Sequence, residues 1–128
     1  MMTRADYELS ICEKLAEAEA VPFQRVSLPG WRPAVAHCHK NVDRWVASNP
    51  GSTAVRGWAT CADFGDAIAL TAHSVVRDVN GILFDITPLE SECVRGTMRF
   101  VGHIGDEQTF VRMQALGIYI VCSKSVKP

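Results

Sequence analysis

The sequence has no long apolar run, no excess of one charge and no paired-cysteine framework, and each absence removes a class of protein. No stretch approaches the roughly 18 uninterrupted apolar residues of a membrane span, so no membrane partner is expected. Lysine and arginine are scattered along the chain and the formal charge is −1. Without a basic stripe, nucleic acid is not an expected partner either. The five cysteines, at positions 12, 38, 61, 93 and 122, are odd in number and widely spaced, unlike the even sets that staple small secreted chains. Reduced thiols are expected, most of them in the core. The N-terminal stretch carries Asp6, Glu8, Glu13, Glu17 and Glu19 and no continuous apolar segment. It resembles neither a secretory signal nor a transit peptide, and the cytoplasm is the expected location.

What is present is an ordinary globular composition: 128 residues, 48% apolar and 21% charged. That length suits a single domain over 1–128, large enough to bury a core without staples. Thr3 followed by Asp6 resembles a capping box, and Tyr7, Ile11, Leu15 and Ala18 recur at helical spacing, predicting a first helix over 4–20. "VPFQRVSLPGWRP" cannot continue it and reads as a loop. From Cys38, the residues Val42, Trp45 and Val46 form a second helical stripe, stopped by Asn49-Pro50-Gly51, which predicts a helix over 38–48. "STAVRGWATCA", "DAIALTAHSVVRD" and "ILFDITP" read as three consecutive antiparallel strands. "TMRFVGHIG" reads as a further strand, "DEQTFVRMQAL" as a short helix and "GIYIVCS" as a last strand. Helices first and strands afterwards predict an α+β fold, with the Cys38 helix packed on an antiparallel sheet.

Cys38 opens its helix, where unpaired N–H groups and the dipole favour a thiolate, the nucleophilic form. A thiolate nucleophile needs a group that accepts a proton and later protonates the leaving group, and histidine suits both tasks. His37 and His39 are neighbours of Cys38 and are expected to point away from it, exposed. His103 has no evident partner. His73, in "TAHSVVRD", is therefore the candidate base. Asp85, in "LFDITP", lies among apolar residues, where an unpaired carboxylate is expensive, so a partner is expected. A two-residue turn at Asn80-Gly81 would put Asp85 on the face opposite His73. A three-residue loop Val79-Asn80-Gly81 with a bulge pairs Val75 with Asp85 and makes His73 its diagonal neighbour. The sequence allows both, and a Cys-His-Asp constellation requires the second.

A Cys opening a helix, then "HSVV" on one strand and "LFDITP" on the next, resembles the Cys-His-Asp order of papain-like cysteine enzymes, most closely the transglutaminase-like and NlpC-type bacterial branches. The similarity covers residues 32–88. It implies a papain-like α+β fold, with Cys38 as thiol nucleophile, His73 as general base and Asp85 as the carboxylate that orients it. It further implies a hydrolase or acyltransferase acting through a thioester on an amide or thioester of a peptide, protein or small molecule. No cofactor is called for. Gln24 lies far upstream of Cys38, which leaves the Cys38 N–H and a donor from the loop 31–36 as the expected oxyanion contacts.

Other readings of the same residues stand beside this one. Cys38 lies on an apolar stripe and could be core filler in a non-catalytic binding or regulatory module on a degenerate version of the fold. "HCH", with Cys61, His73, Cys93 and His103, could hold zinc, although no CxxC and no His pair at i,i+4 sets tetrahedral geometry. Cys12, Cys61 and Cys122 read as packing, and Cys93 as a loop thiol without a base. Trp31 and Trp58 are candidates to line a substrate groove beside Cys38, with ordinary burial the alternative role for each. Asn41, one turn on, could contact substrate near the thiol, brace the preceding loop or simply be solvated.

Overall fold

The computed structural model of the chain describes residues 2–89 and 98–124. Helix α1 spans Arg4–Glu13, with Thr3 as its cap: the Thr3 hydroxyl accepts the Asp6 N–H at 3.1 Å. The helix is shorter than the 4–20 expected. It gives way to a 3-10 turn at Leu15–Glu17 and a two-residue strand, β1, at Glu19–Ala20. The helical propensity of this segment yields to strand pairing, because β1 lies antiparallel to a strand far along the chain. Helix α2 spans Cys38–Ala47 and ends before Asn49-Pro50-Gly51, where Gly51 takes φ +93°.

Strands β2 (Thr53–Asp63) and β3 (Ala67–Arg77) form a long hairpin, and β4 (Leu83–Phe84) continues it on the far edge of β3. Strand β5 (Arg99–Gly102) then crosses to pair with β2 on one side and β1 on the other. Helix α3 (Glu107–Leu116) is capped by Asp106, whose carboxylate accepts the Thr109 N–H at 2.8 Å. Strand β6 (Tyr119–Ser123) closes against β3. Among the described residues the result is an α+β architecture of three α-helices and one antiparallel sheet in the order β1-β5-β2-β3-β4, with β6 also on β3.

Strand alternation sorts the core. Trp58, Leu70 and Val101 turn to the face covered by α1 and α3, where they meet Tyr7, Ile11, Phe110 and Met113. Val76 and Phe84 pack on Val42 of α2. Val75, Ala59 and Phe100 turn the other way and meet Val21 and Leu83. Gly57 sits where a Cβ would lie 2.2 Å from the Val101 carbonyl oxygen and 2.5 Å from Phe100 Cζ, so only glycine lets β5 lie this close to β2.

Two cysteines correct the expectation of reduced thiols. Cys12, at the end of α1, and Cys122, in β6, form a disulfide that closes a separation of 110 residues. Cys61 corrects the packing expectation in another way, because it stands exposed at the bulge of β2 between Thr60 and Ala62.

Gly57→Ala is expected to cost about 1–3 kcal/mol by overpacking, read as a lower urea midpoint; an unchanged midpoint would contradict the close β2–β5 approach. The double substitution Cys12→Ser with Cys122→Ser is expected to cost about 2–5 kcal/mol, because it frees a long loop in the unfolded chain. Equal stability of that variant and the parent would show that the pair is not closed in the folded protein.

Candidate active site

Three segments build the site: the loop leading into α2, the first turn of α2, and the hairpin that carries His73 and Asp85. The N-cap of α2 is His37, which makes no side-chain capping bond, and no acidic residue occupies the first turn. The positive end of this helix is therefore left to whatever negative charge lies at its mouth. Cys38 is the first helical residue.

Asn41 fixes the loop to the helix. Its Oδ1 accepts the Ala34 N–H at 3.0 Å, and its Nδ2 donates to the Ala34 carbonyl at 2.8 Å and to Thr87 Oγ1 at 3.0 Å. The side chain is 3% exposed, so Asn41 is the brace between the loop and the Thr87 segment, neither solvated nor a substrate contact. The Ala34 N–H is consumed by this brace, which removes it from the candidate oxyanion donors in the loop 31–36.

The hairpin takes the three-residue loop. The Asp78 N–H donates to the Ile82 carbonyl at 2.9 Å, the Gly81 N–H to the Asp78 carbonyl at 2.9 Å, and Gly81 adopts φ +86°. Asp78 Oδ1 also accepts the Asn80 and Ile82 N–H groups, at 2.8 and 3.0 Å. With Val76 opposite Phe84, Asp85 falls across from Val75 and diagonal to His73. His73 Nε2 lies 3.1 Å from Asp85 Oδ1, which also accepts the Thr87 N–H at 3.2 Å. Asp85 is 0% exposed and His73 9%. The Asp85 backbone is pinned in turn, its N–H donating to the Pro22 carbonyl and its carbonyl accepting the Gln24 N–H, each at 2.8 Å.

Along its outer edge, β3 pairs with β6 up to Thr71 and with β4 from Val76. The first turn of α2 meets the strand in the interval between. There Cys38 Sγ lies 3.8 Å from His39 Nδ1, and His73 stands close enough for its charge to act on the thiol. Burial alone would lower the His73 pKa, but the hydrogen bond and charge of Asp85, together with the thiol, raise it to about 9. Burial alone would raise the Cys38 pKa, but hydrogen bonds and charge from His39 and His73 pull it down to about 6. Both shifts favour a thiolate beside an imidazolium at neutral pH. With Nε2 turned to Asp85, Nδ1 is the ring nitrogen left to serve the sulfur.

His39 was expected to point away from Cys38, exposed. Instead it is half-buried, with Nδ1 at 3.8 Å from Cys38 Sγ and 2.5 Å from Ser74 Oγ, and with Nε2 at 3.0 Å from Gln114 Oε1. Arg56 Nη1 donates to Ser74 Oγ at 2.9 Å, so the serine hydrogen is available to His39 Nδ1. In the neutral ring, Nδ1 then accepts from Ser74 and Nε2–H donates to Gln114. In the protonated ring, Nδ1–H faces the sulfur and Ser74 Oγ. Arg56 is held by Asp43 at 2.7 Å and Glu107 at 3.1 Å. The "HCH" triplet was the available sequence signal, but the rule for adjacent helical residues concealed it: at the first residue of a helix, a long neighbouring side chain can turn back toward the mouth.

The remaining sequence candidates lie elsewhere. Trp58 is 0% exposed, its Nε1–H donating to the Tyr7 hydroxyl at 2.9 Å, so it is core and lines no groove. Trp31 is half-buried with the Arg44 guanidinium 5.8 Å over its ring. A groove of about 800 Å³ runs between the loop 22–35 and the segment 86–89, and neither tryptophan nor Cys38 lines it. His37 is exposed, as expected. Cys93 lies outside the described residues. Among the described residues, no group of three or more His, Cys, Asp and Glu side chains is placed to hold a metal ion, and none of the helices there is long and apolar enough to cross a membrane. Compared with protein-family models, curated proteins and solved structures, the chain matches none.

Asp85→Asn removes the charge from beside His73 while keeping the side chain's shape. By NMR titration, the imidazole midpoint is expected to fall from about 9 toward or below the ordinary histidine value, since burial then acts with less opposition. A midpoint unmoved by this substitution would contradict the pairing.

Proposed function

We propose that the protein is a cysteine-dependent acyl-transfer enzyme, a hydrolase or acyltransferase of papain-like type acting on an amide or thioester bond of a peptide, protein or small amide. One arrangement carries this: the thiol at the mouth of α2 lies under the charge of an imidazole whose Nε2 is held by a fully buried carboxylate.

In this mechanism the Cys38 thiolate attacks the substrate carbonyl carbon, and the carbonyl electron pair moves onto oxygen. The helix mouth, through the Cys38 N–H, faces the developing oxyanion. His73, already protonated, delivers its proton to the leaving amine or thiol as the C–N or C–S bond breaks, leaving a thioester on Cys38. Water or an amine then attacks the thioester while His73 takes up its proton. Collapse releases the acyl product and returns the thiolate–imidazolium pair. Asp85 sets the ring's orientation throughout.

One observation favours a second reading, a binding module on a degenerate version of this fold: the groove is not lined by Cys38. A thiol that is inert in such a module separates the two. The zinc reading gains no geometric support among the described residues. The Cys12–Cys122 bond supports an oxidising compartment, against the cytoplasmic location expected from the sequence.

Iodoacetamide alkylation of Cys38, mapped by mass spectrometry, is expected to rise with pH through a midpoint near 6, well below that of an ordinary thiol. Cys61 is the internal reference, exposed and with its pKa raised by partial burial. In His73→Ala the Cys38 midpoint is expected to move upward, because the cation that favours the thiolate is gone. If Cys38 reacts no faster than Cys61 at neutral pH, the thiol is not the nucleophile.

A further inference from the structure

The groove outside the catalytic constellation is built, not incidental. Its apolar wall includes Phe23, Val26 and Ile86, and Val26 and Ile86 are buried in the same cluster that seats α2. The backbone bridge between Phe23 and Asp85 ties the loop on one side to the strand end on the other. Arg25 and Arg32 stand on its lining, both exposed, and neither makes an ion pair with a described residue. Among the described residues they are two cations without a carboxylate partner, on a groove whose lining is polar and apolar alike, in a chain whose formal charge is −1. The groove is also coupled to the thiol. Ala34 lines it and is held twice by Asn41, and Thr87, held by the same Asn41, lies between the lining residues Ile86 and Pro88.

From this arrangement we infer that the groove binds an acidic peptide: the apolar wall takes its aliphatic or aromatic side chains, and Arg25 and Arg32 take its carboxylates. Guanidinium groups match carboxylates as planar two-point donors, which lysine could not reproduce. A volume of about 800 Å³ is within the range of ligand-binding clefts. The inference rests on the proposed thiol chemistry for its consequence, since it names the substrate class whose acyl group the Asn41-braced loop would lead toward Cys38. Its binding step stands without that chemistry.

The test uses the full chain carrying Cys38→Ser, and two blocked tetrapeptides, acetyl-Leu-Glu-Leu-Glu-amide and its glutamine counterpart, titrated by amide NMR. The acidic peptide is expected to shift the amides of Phe23, Val26, Ala34 and Ile86, and to bind about tenfold more tightly than the neutral one, the selectivity that charge-assisted contacts supply. Arg25→Gln and Arg32→Gln are each expected to weaken the acidic peptide and leave the neutral one unchanged. Equal affinities, or shifts confined to another surface, would overturn the inference. So would tighter binding by a short oligonucleotide of the same charge. Because serine replaces the thiol here, inertness of Cys38 in alkylation would leave a positive result standing, and a negative result would leave the thiol chemistry standing.

Discussion

A carboxylate with no solvent exposure lies diagonally across two strands from an imidazole, and the surrounding chain is arranged so that neither is buried alone. The penalty for burying one unpaired ion is on the order of several kcal/mol, comparable with a small domain's whole stability. Asp85 therefore tolerates one hairpin register and not the next. The left-handed Gly81, the Asp78 carboxylate that gathers the loop amides and the Phe23 bridge behind Asp85 all hold that register. His73, polarised on one side by Asp85, stands on β3 where the strand's outer edge, the one away from β2, has no strand paired between Thr71 and Val76 among the described residues.

Helix α2 exploits that interval. Its first turn reaches Ser74 with His39 and His73 with Cys38, side chains that strand alternation sends to opposite faces. Burial opposes the Cys38 thiolate, and two histidines acting on the one sulfur overcome it. Asn41 keeps the loop before the thiol from fraying and joins it to the segment that follows Asp85.

Much of this was legible in the sequence because it is local. The helical stripe of Val42, Trp45 and Val46, the Thr3 cap and the long hairpin follow from periodicity and turn chemistry. The choice between two hairpin turns could be framed from Asn80-Gly81, and the observed register, with Val76 opposite Phe84, settles it. What was not legible depends on contacts distant in sequence. Cys12 meets Cys122 only because β6 returns beside α1, and no spacing rule reports a pairing across that distance. Of the two roles open to Trp58, groove wall and core, alternation along β2 selects the core, under α1 and α3. Asn41 and His39 have polar side chains on a short helix, and their partners, Thr87, Ser74 and Gln114, come from three other segments.

The central claim is that a thiolate and an imidazolium coexist at the mouth of α2. The most direct measurement is the ultraviolet absorbance of the thiolate as a function of pH, taken as the difference between the parent protein and Cys38→Ser. The expected difference spectrum appears with a midpoint near 6. A Cys38 thiolate that forms only at or above the ordinary thiol range would contradict the claim.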